Sequence, residues 1–141
     1  MKNIVKSLEE IREFFKGDTY ATATTGIEIM EVSEGYAKVG LTVDERHMNA
    51  GGRVMGAVYF TMADFAFAVA NNTNTNEGPM TFTLSSQINF LTAAKGRRLT
   101  AEARAVRDGK KVSFYEVQVR DDLDNLLATV SSNGFKTESQ S

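Results

Sequence analysis

Val54-Met55-Gly56-Ala57-Val58-Tyr59-Phe60-Thr61-Met62-Ala63-Asp64-Phe65-Ala66-Phe67-Ala68-Val69-Ala70-Asn71-Asn72 carries a single charged side chain, Asp64, in a run otherwise made of small and apolar residues that closes at Asn71-Asn72. A helix apolar nearly all round belongs in a core. An ionised carboxylate in such surroundings costs several kcal/mol unless it finds partners, so Asp64 needs a reason to be there. Two reasons stand. Desolvation raises a carboxylate's pKa, as a general base or nucleophile requires; alternatively, Asp64 is a structural anchor tied to backbone donors.

The flanks of this run read as sheet. Ile27-Glu28-Ile29-Met30-Glu31-Val32 and Tyr36-Ala37-Lys38-Val39-Gly40-Leu41-Thr42-Val43 are strands joined through Gly35 into a hairpin. On the other side, residues 80–91 are β-rich, and Lys95-Gly96 turns the chain into the alternating residues 99–105. Asp108-Gly109 is a two-residue hairpin signal leading to residues 112–120, and residues 121–125 turn into residues 126–135. Ile4, Leu8, Ile11 and Phe15 share one face of an opening helix within residues 1–17. Residues 21–25 form a small polar run, the stretch 71–78 a flexible connection, and the tail 137–141 is expected to fray.

The order is therefore helix, two strands, a long apolar helix, then four strands. An antiparallel sheet wrapped around a long central helix buries that helix, which is an α+β arrangement and the hot-dog fold. One copy leaves a sheet edge and part of the helix uncovered, so a homodimer or homotetramer is expected.

At 141 residues the chain suits one domain, 1–141, large enough to bury about two thirds of its unfolded surface. With 42% hydrophobic and 24% charged residues and one Pro, it is not a disordered or fibrous composition. A net charge of -2 with scattered cations argues against a nucleic-acid partner. The absence of Cys excludes disulfides, thiol catalysis and thiolate metal sites, and a lone His47 gives no His-rich centre. No metal and no cofactor are expected. The first sixteen residues lack the continuous apolar stretch of a signal peptide, and the run from Val54 is too short and too interrupted by Asp64 to span a membrane. A cytoplasmic protein without a membrane partner is the expectation.

Asn49, Met55-Gly56-Ala57 and Asp64 follow a known spacing: Asn in a loop, a His-Gly-Gly start to the central helix, and an Asp two turns in. In these residues the chain resembles the hot-dog acyl-CoA thioesterases, in the PaaI-like branch associated with phenylacetate degradation. The resemblance extends from Gly26-Ile27 and Gly35-Tyr36-Ala37 through Thr83 and Ile88-Asn89-Phe90-Leu91 to the closing strands. Two positions depart from the pattern. Met55 stands where the family has His, and Ala57 where it has a second Gly; a thioether cannot donate the hydrogen bonds of an imidazole.

The resemblance implies an acyl-CoA substrate and a thioester hydrolysis in which Asp64 activates water or attacks the acyl group itself. Gly56, at the helix start, is placed to offer a backbone N–H to the thioester carbonyl, or else only permits close packing of helix on sheet. Asn49 reads as a turn residue by itself and as a site residue beside Gly56 and Asp64. Thr83 matches a family hydroxyl that bonds near the catalytic carboxylate, and reads equally as an ordinary β-branched strand residue. Met55 is assigned to substrate binding, as an apolar wall. The family places such a site across a subunit interface, with Asn and Gly from one copy facing Asp and the hydroxyl from the other.

Among residues outside the pattern, His47 reads as a solvent-exposed loop residue rather than a base. Arg97, Arg98, Lys110 and Lys111 read as solvated turn charges. The alternative function is a non-catalytic acyl-CoA-binding or regulatory hot-dog protein, motivated by Met55; a hydratase would need a His-containing pair for proton transfer.

Overall fold

The structure is a computed structural model that describes residues 5–73 and 80–137. Of the expected connection over residues 71–78, residues 74–78 lie outside the described residues, as do the tail beyond 137 and Ile4, while Asn71 is the last residue of a helix. Helix α1 (Leu8–Phe15) opens on a capping box: the Ser7 hydroxyl accepts the Glu10 N–H while the Glu10 carboxylate accepts the Ser7 N–H, and Ile11 and Phe15 are buried. A short π-helix (Tyr20–Thr25) follows, where the sequence suggests only a polar run. Gly26 closes it at φ 87°, in the left-handed region that favours glycine.

Strands β1 (Glu28–Ser33) and β2 (Tyr36–Thr42) form the expected hairpin. A 3-10 turn (Glu45–His47) leads to α2 (Gly56–Asn71), and then come β3 (Thr81–Phe90), β4 (Arg98–Asp108), β5 (Val112–Asp121) and β6 (Leu126–Lys136). The six strands make one antiparallel sheet in the order β1-β2-β4-β5-β6-β3. Helix α2 contacts every strand. Its Met62, Ala63, Ala66 and Val69 are fully buried against Val39, Leu41, Leu99, Ala101, Val119 and Leu127, which alternate inward along their strands. Burial of this kind, at about 25 cal/mol per Å² of apolar surface, is the main stabilising contribution. This is the α+β hot-dog arrangement read from the sequence.

Two polar residues fix the far end of α2. Asn72, fully buried, donates to the Ala68 carbonyl and accepts the Thr81 N–H at 3.0 Å, joining the helix end to the start of β3. The Ser113 hydroxyl donates to the Asn71 side-chain oxygen at 2.6 Å. The opposite end is organised by Asp121. Its buried carboxylate accepts N–H donors from Lys95, Gly96, Leu123 and Asn125 and from the Asn125 side chain. Burial works to raise its pKa, and the hydrogen bonds, led by the Asn125 side chain and the Lys95 N–H, overcome that and hold it well below the usual carboxylate range. The Tyr59 hydroxyl accepts the Ala94 N–H at 2.9 Å and ties this loop to the first turn of α2.

Strand β3 is a sheet edge, and Phe82, Leu84, Phe90 and Leu91 on and beside it are more than half exposed. Its register with β6 shifts between Thr83 and Ser85, a bulge at Leu84.

Candidate active site

Helix α2 is not covered all round. Ala57, Thr61, Asp64 and Ala68 lie at helical spacing on a stripe that the sheet leaves open or half-open. Asp64 is thus half-buried on the rim of the core, where the apolar run had suggested full enclosure. The stripe still reads as apolar in sequence because three of its four members are Ala or Thr.

The π-helix walls this stripe and makes a groove. One cleft of about 330 Å³ is lined by Asp18, Tyr20, Thr61, Asp64 and Ala68. A second, of about 310 Å³, is lined by Tyr20, Thr25, His47, Met55, Ala57 and Thr61. Tyr20 and Thr61 belong to both, so the two continue into one another past the Tyr20 ring, which is 64% exposed. Burial, and then the charge of Asp64, push the Asp18 carboxyl up from its ordinary value. A larger cavity of about 550 Å³ lies over β3, β5 and β6, lined by Ser85, Gln87, Phe114, Ser131 and Asn133. Glu116 is its one acidic residue, and it holds no acid paired to a hydroxyl, so the groove on α2 is the better chemical candidate.

Of the residues singled out in the sequence, the structure brings Asp64 and Thr83 together. The Thr83 hydroxyl donates to Asp64 Oδ1 at 2.9 Å, reaching from β3 across to α2. Oδ2 has no hydrogen-bond partner among the described residues.

Gly56 begins α2, and neither its N–H nor that of Ala57 donates to a backbone or side-chain acceptor among the described residues. The helix start therefore presents free amides, as helix N-termini do. The glycine also has a packing reason. A Cβ there would stand 2.8 Å from Phe90 Cε1, so the Phe90 ring lies where a side chain would be. Met55 is the N-cap, makes no side-chain capping bond and is 52% exposed, lining the groove beside Gly56.

Asn49 stays apart from the Asp64 pair. Its Oδ1 accepts the Gly51 and Arg53 N–H groups at 2.9 and 3.1 Å, moulding the loop before α2, and its exposed Nδ2 has no partner among the described residues. The turn reading accounts for the oxygen and leaves the amide nitrogen available.

His47 is the clearest departure from the sequence reading: it is 3% exposed, with both ring nitrogens bonded to backbone. A lone histidine in a Gly-containing loop gives no sign of such enclosure, because its partners come from a neighbouring turn and from Thr25, 22 residues away. Asp18 and Tyr20 carry no sequence signal either, since their neighbours lack any periodicity that would place them on the groove.

Among the described residues no three His, Asp or Glu side chains gather as a metal site, and no helix is long and apolar enough to cross a membrane.

Residues 51–128, just over half of the chain, match the thioesterase superfamily. The chain is 30% identical over 115 residues to the acyl-coenzyme A thioesterase PaaI of Escherichia coli, covering 81% of this chain and 79% of that protein. It is also 30% identical over 104 residues to a 1,4-dihydroxy-2-naphthoyl-CoA hydrolase of Listeria monocytogenes, covering 74% and 85% of the two. The crystal structure of a thioesterase from Haemophilus influenzae matches with a TM-score of 0.86 at 20% identity, covering 96% of this chain and 94% of that one, a likeness of fold. A half-open carboxylate on the central helix of a hot-dog fold, together with these relatives, leads to one assignment: the chain belongs to the thioesterase superfamily, in its PaaI-like branch.

Proposed function

We propose that the protein hydrolyses acyl- or aryl-CoA thioesters to the free acid and CoA, with Asp64 as the reacting carboxylate. The observation that carries this reading is the Thr83 hydroxyl bonded to Asp64 Oδ1, which orients the carboxylate while Oδ2 stays free in a groove. As a base, Asp64 takes a proton from water as the water oxygen bonds to the thioester carbon; the resulting oxyanion collapses and expels the CoA thiolate. As a nucleophile, it forms an acyl anhydride, releases the thiolate, and water then cleaves the anhydride. In either course the free amide of Gly56 stabilises the carbonyl oxygen as it gains charge, with Asn49 Nδ2 as a second donor and Met55 as an apolar wall.

One chain alone does not suit this chemistry. Gly56 and Asp64 are eight residues apart on one helix, about 12 Å along its axis, whereas the oxyanion donor and the attacking group must both stand about 3 Å from one acyl group. Two copies remove the difficulty if Gly56 and Asn49 of one face Asp64 and Thr83 of the other. The unpaired β3 edge with its exposed Phe82 and Leu84 offers a surface for that pairing, as a dimer or a pair of dimers.

A second reading, a non-catalytic acyl-CoA-binding protein, is favoured by the exposed Met55 at a position where the family carries His. Free-thiol release from a panel of acyl- and aryl-CoA thioesters separates the two: turnover by the wild type supports hydrolysis, and tight binding without turnover supports the second.

A further inference from the structure

The single imidazole of the chain is locked between two walls of the groove. The Asp44 N–H donates to His47 Nδ1 at 2.9 Å, so that nitrogen must be bare; Nε2 faces the Thr25 carbonyl at 2.8 Å, so it must carry the proton. Only the neutral Nε2–H form satisfies both neighbours. Thr25 is the last residue of the π-helix that walls the groove. The His47 carbonyl in turn accepts the N–H of Met55 at 2.8 Å, one residue before Gly56. A continuous set of bonds thus runs from the π-helix, through the ring and backbone of His47, to the peptide that presents the free amide.

We infer that His47 is a positioning residue whose neutral imidazole holds the Gly56 amide in register with the groove. The inference rests on the reading of Gly56 as the amide that stabilises the oxyanion. His47 touches no substrate in this account; it acts through Met55 and Gly56. The charged groups facing the ring are Asp44, whose carboxylate oxygen lies 3.4 Å from Nδ1, and Arg46, which is ion-paired to that carboxylate. From the π-helix the one titratable neighbour in the same cleft is Tyr20, and α2 brings no charged side chain to that cleft. Protonation would put a second N–H against the Asp44 N–H and turn Nδ1 toward the Asp44 carboxylate, shifting the Glu45–His47 turn whose His47 carbonyl holds the Met55 N–H.

Two substitutions separate the bonds. His47→Asn keeps an acceptor for the Asp44 N–H and loses the reach to Thr25; His47→Gln keeps an N–H that reaches Thr25. Measured on a thioester that the wild type hydrolyses, His47→Asn is expected to lower kcat by about tenfold to a hundredfold with KM little changed, the pattern for a misplaced transition-state group. His47→Gln is expected to recover most of that loss. Folded variants with wild-type kcat, or a change confined to KM, overturn the inference, as does a loss matched by the fraction unfolded. Should neither variant fold, amide NMR of the wild type decides: the Gly56 resonance is expected to follow the imidazole titration, and a Gly56 signal indifferent to it contradicts the inference. Absence of wild-type turnover on the whole panel counts against the reading of Gly56, while the NMR result still judges the coupling.

Discussion

Thr83 Oγ1 donates a 2.9 Å hydrogen bond to Asp64 Oδ1, joining the edge strand of the sheet to the open stripe of the central helix. The bond occupies one lone pair of the carboxylate and fixes its rotation without neutralising it. Thr83→Ser keeps the donor and is expected to retain most activity, whereas Thr83→Val keeps the shape and loses the donor. A fall in kcat of about tenfold for Thr83→Val, with thermal stability nearly unchanged at this exposed residue, is the expected outcome of steady-state assays and thermal melts.

Gly56→Ala tests whether the glycine serves packing alone. The new methyl group meets the Phe90 ring, which is 56% exposed, and Ala is a better helix former than Gly. The melting temperature should therefore move little, while a displaced Phe90 and a crowded amide cut turnover by about tenfold or more. A second change, Phe90→Ala, in the same chain should restore part of the rate if crowding is the cause.

The long helix, the hairpin at Gly35 and the succession of elements along the chain were legible in the sequence because each depends on local periodicity or local turn chemistry. The β4–β5 hairpin forms as expected, but Asp108 pairs with Ser113, so its connection is longer than the two residues that Asp108-Gly109 suggests. The pairing of Asp64 with Thr83 was legible only through a family resemblance, since 19 residues and a register bulge separate them. The half-burial of Asp64 is not legible in the sequence because Ala and Thr on the open stripe look as apolar as those facing the sheet. The enclosure of His47 and of Asp121 has no sequence signal for a common reason: each is completed by backbone groups from a distant segment, the Thr25 carbonyl for His47 and the Lys95 and Gly96 N–H groups for Asp121, which have no residue type to announce them.

Asp121 is expected to contribute to stability in acid. Its folded pKa is depressed, so its contribution is fully present above the unfolded value of about 3.9 and is lost as pH falls through the folded value. Asp121→Ala leaves several buried donors unpaired and should cost about 2–4 kcal/mol at neutral pH. Chemical denaturation across pH should show the wild type losing stability below about pH 4 more steeply than the variant. Parallel curves would remove this role.

Leu84→Arg places a charge on the exposed β3 edge without disturbing the core. Sedimentation should show a shift toward monomer, and activity should fall with it, since one copy separates Gly56 from Asp64 by about 12 Å. A fully active monomer would contradict a site shared between copies.

Asp64 itself gives the most direct test. Asp64→Asn preserves size and can still accept the Thr83 hydrogen bond, and it removes only the basic and nucleophilic oxygen. Free-thiol release from the acyl- and aryl-CoA panel should fall by about a hundredfold or more for every substrate the wild type hydrolyses, with the fold intact by circular dichroism. Equal turnover by Asp64→Asn and wild type would contradict the account.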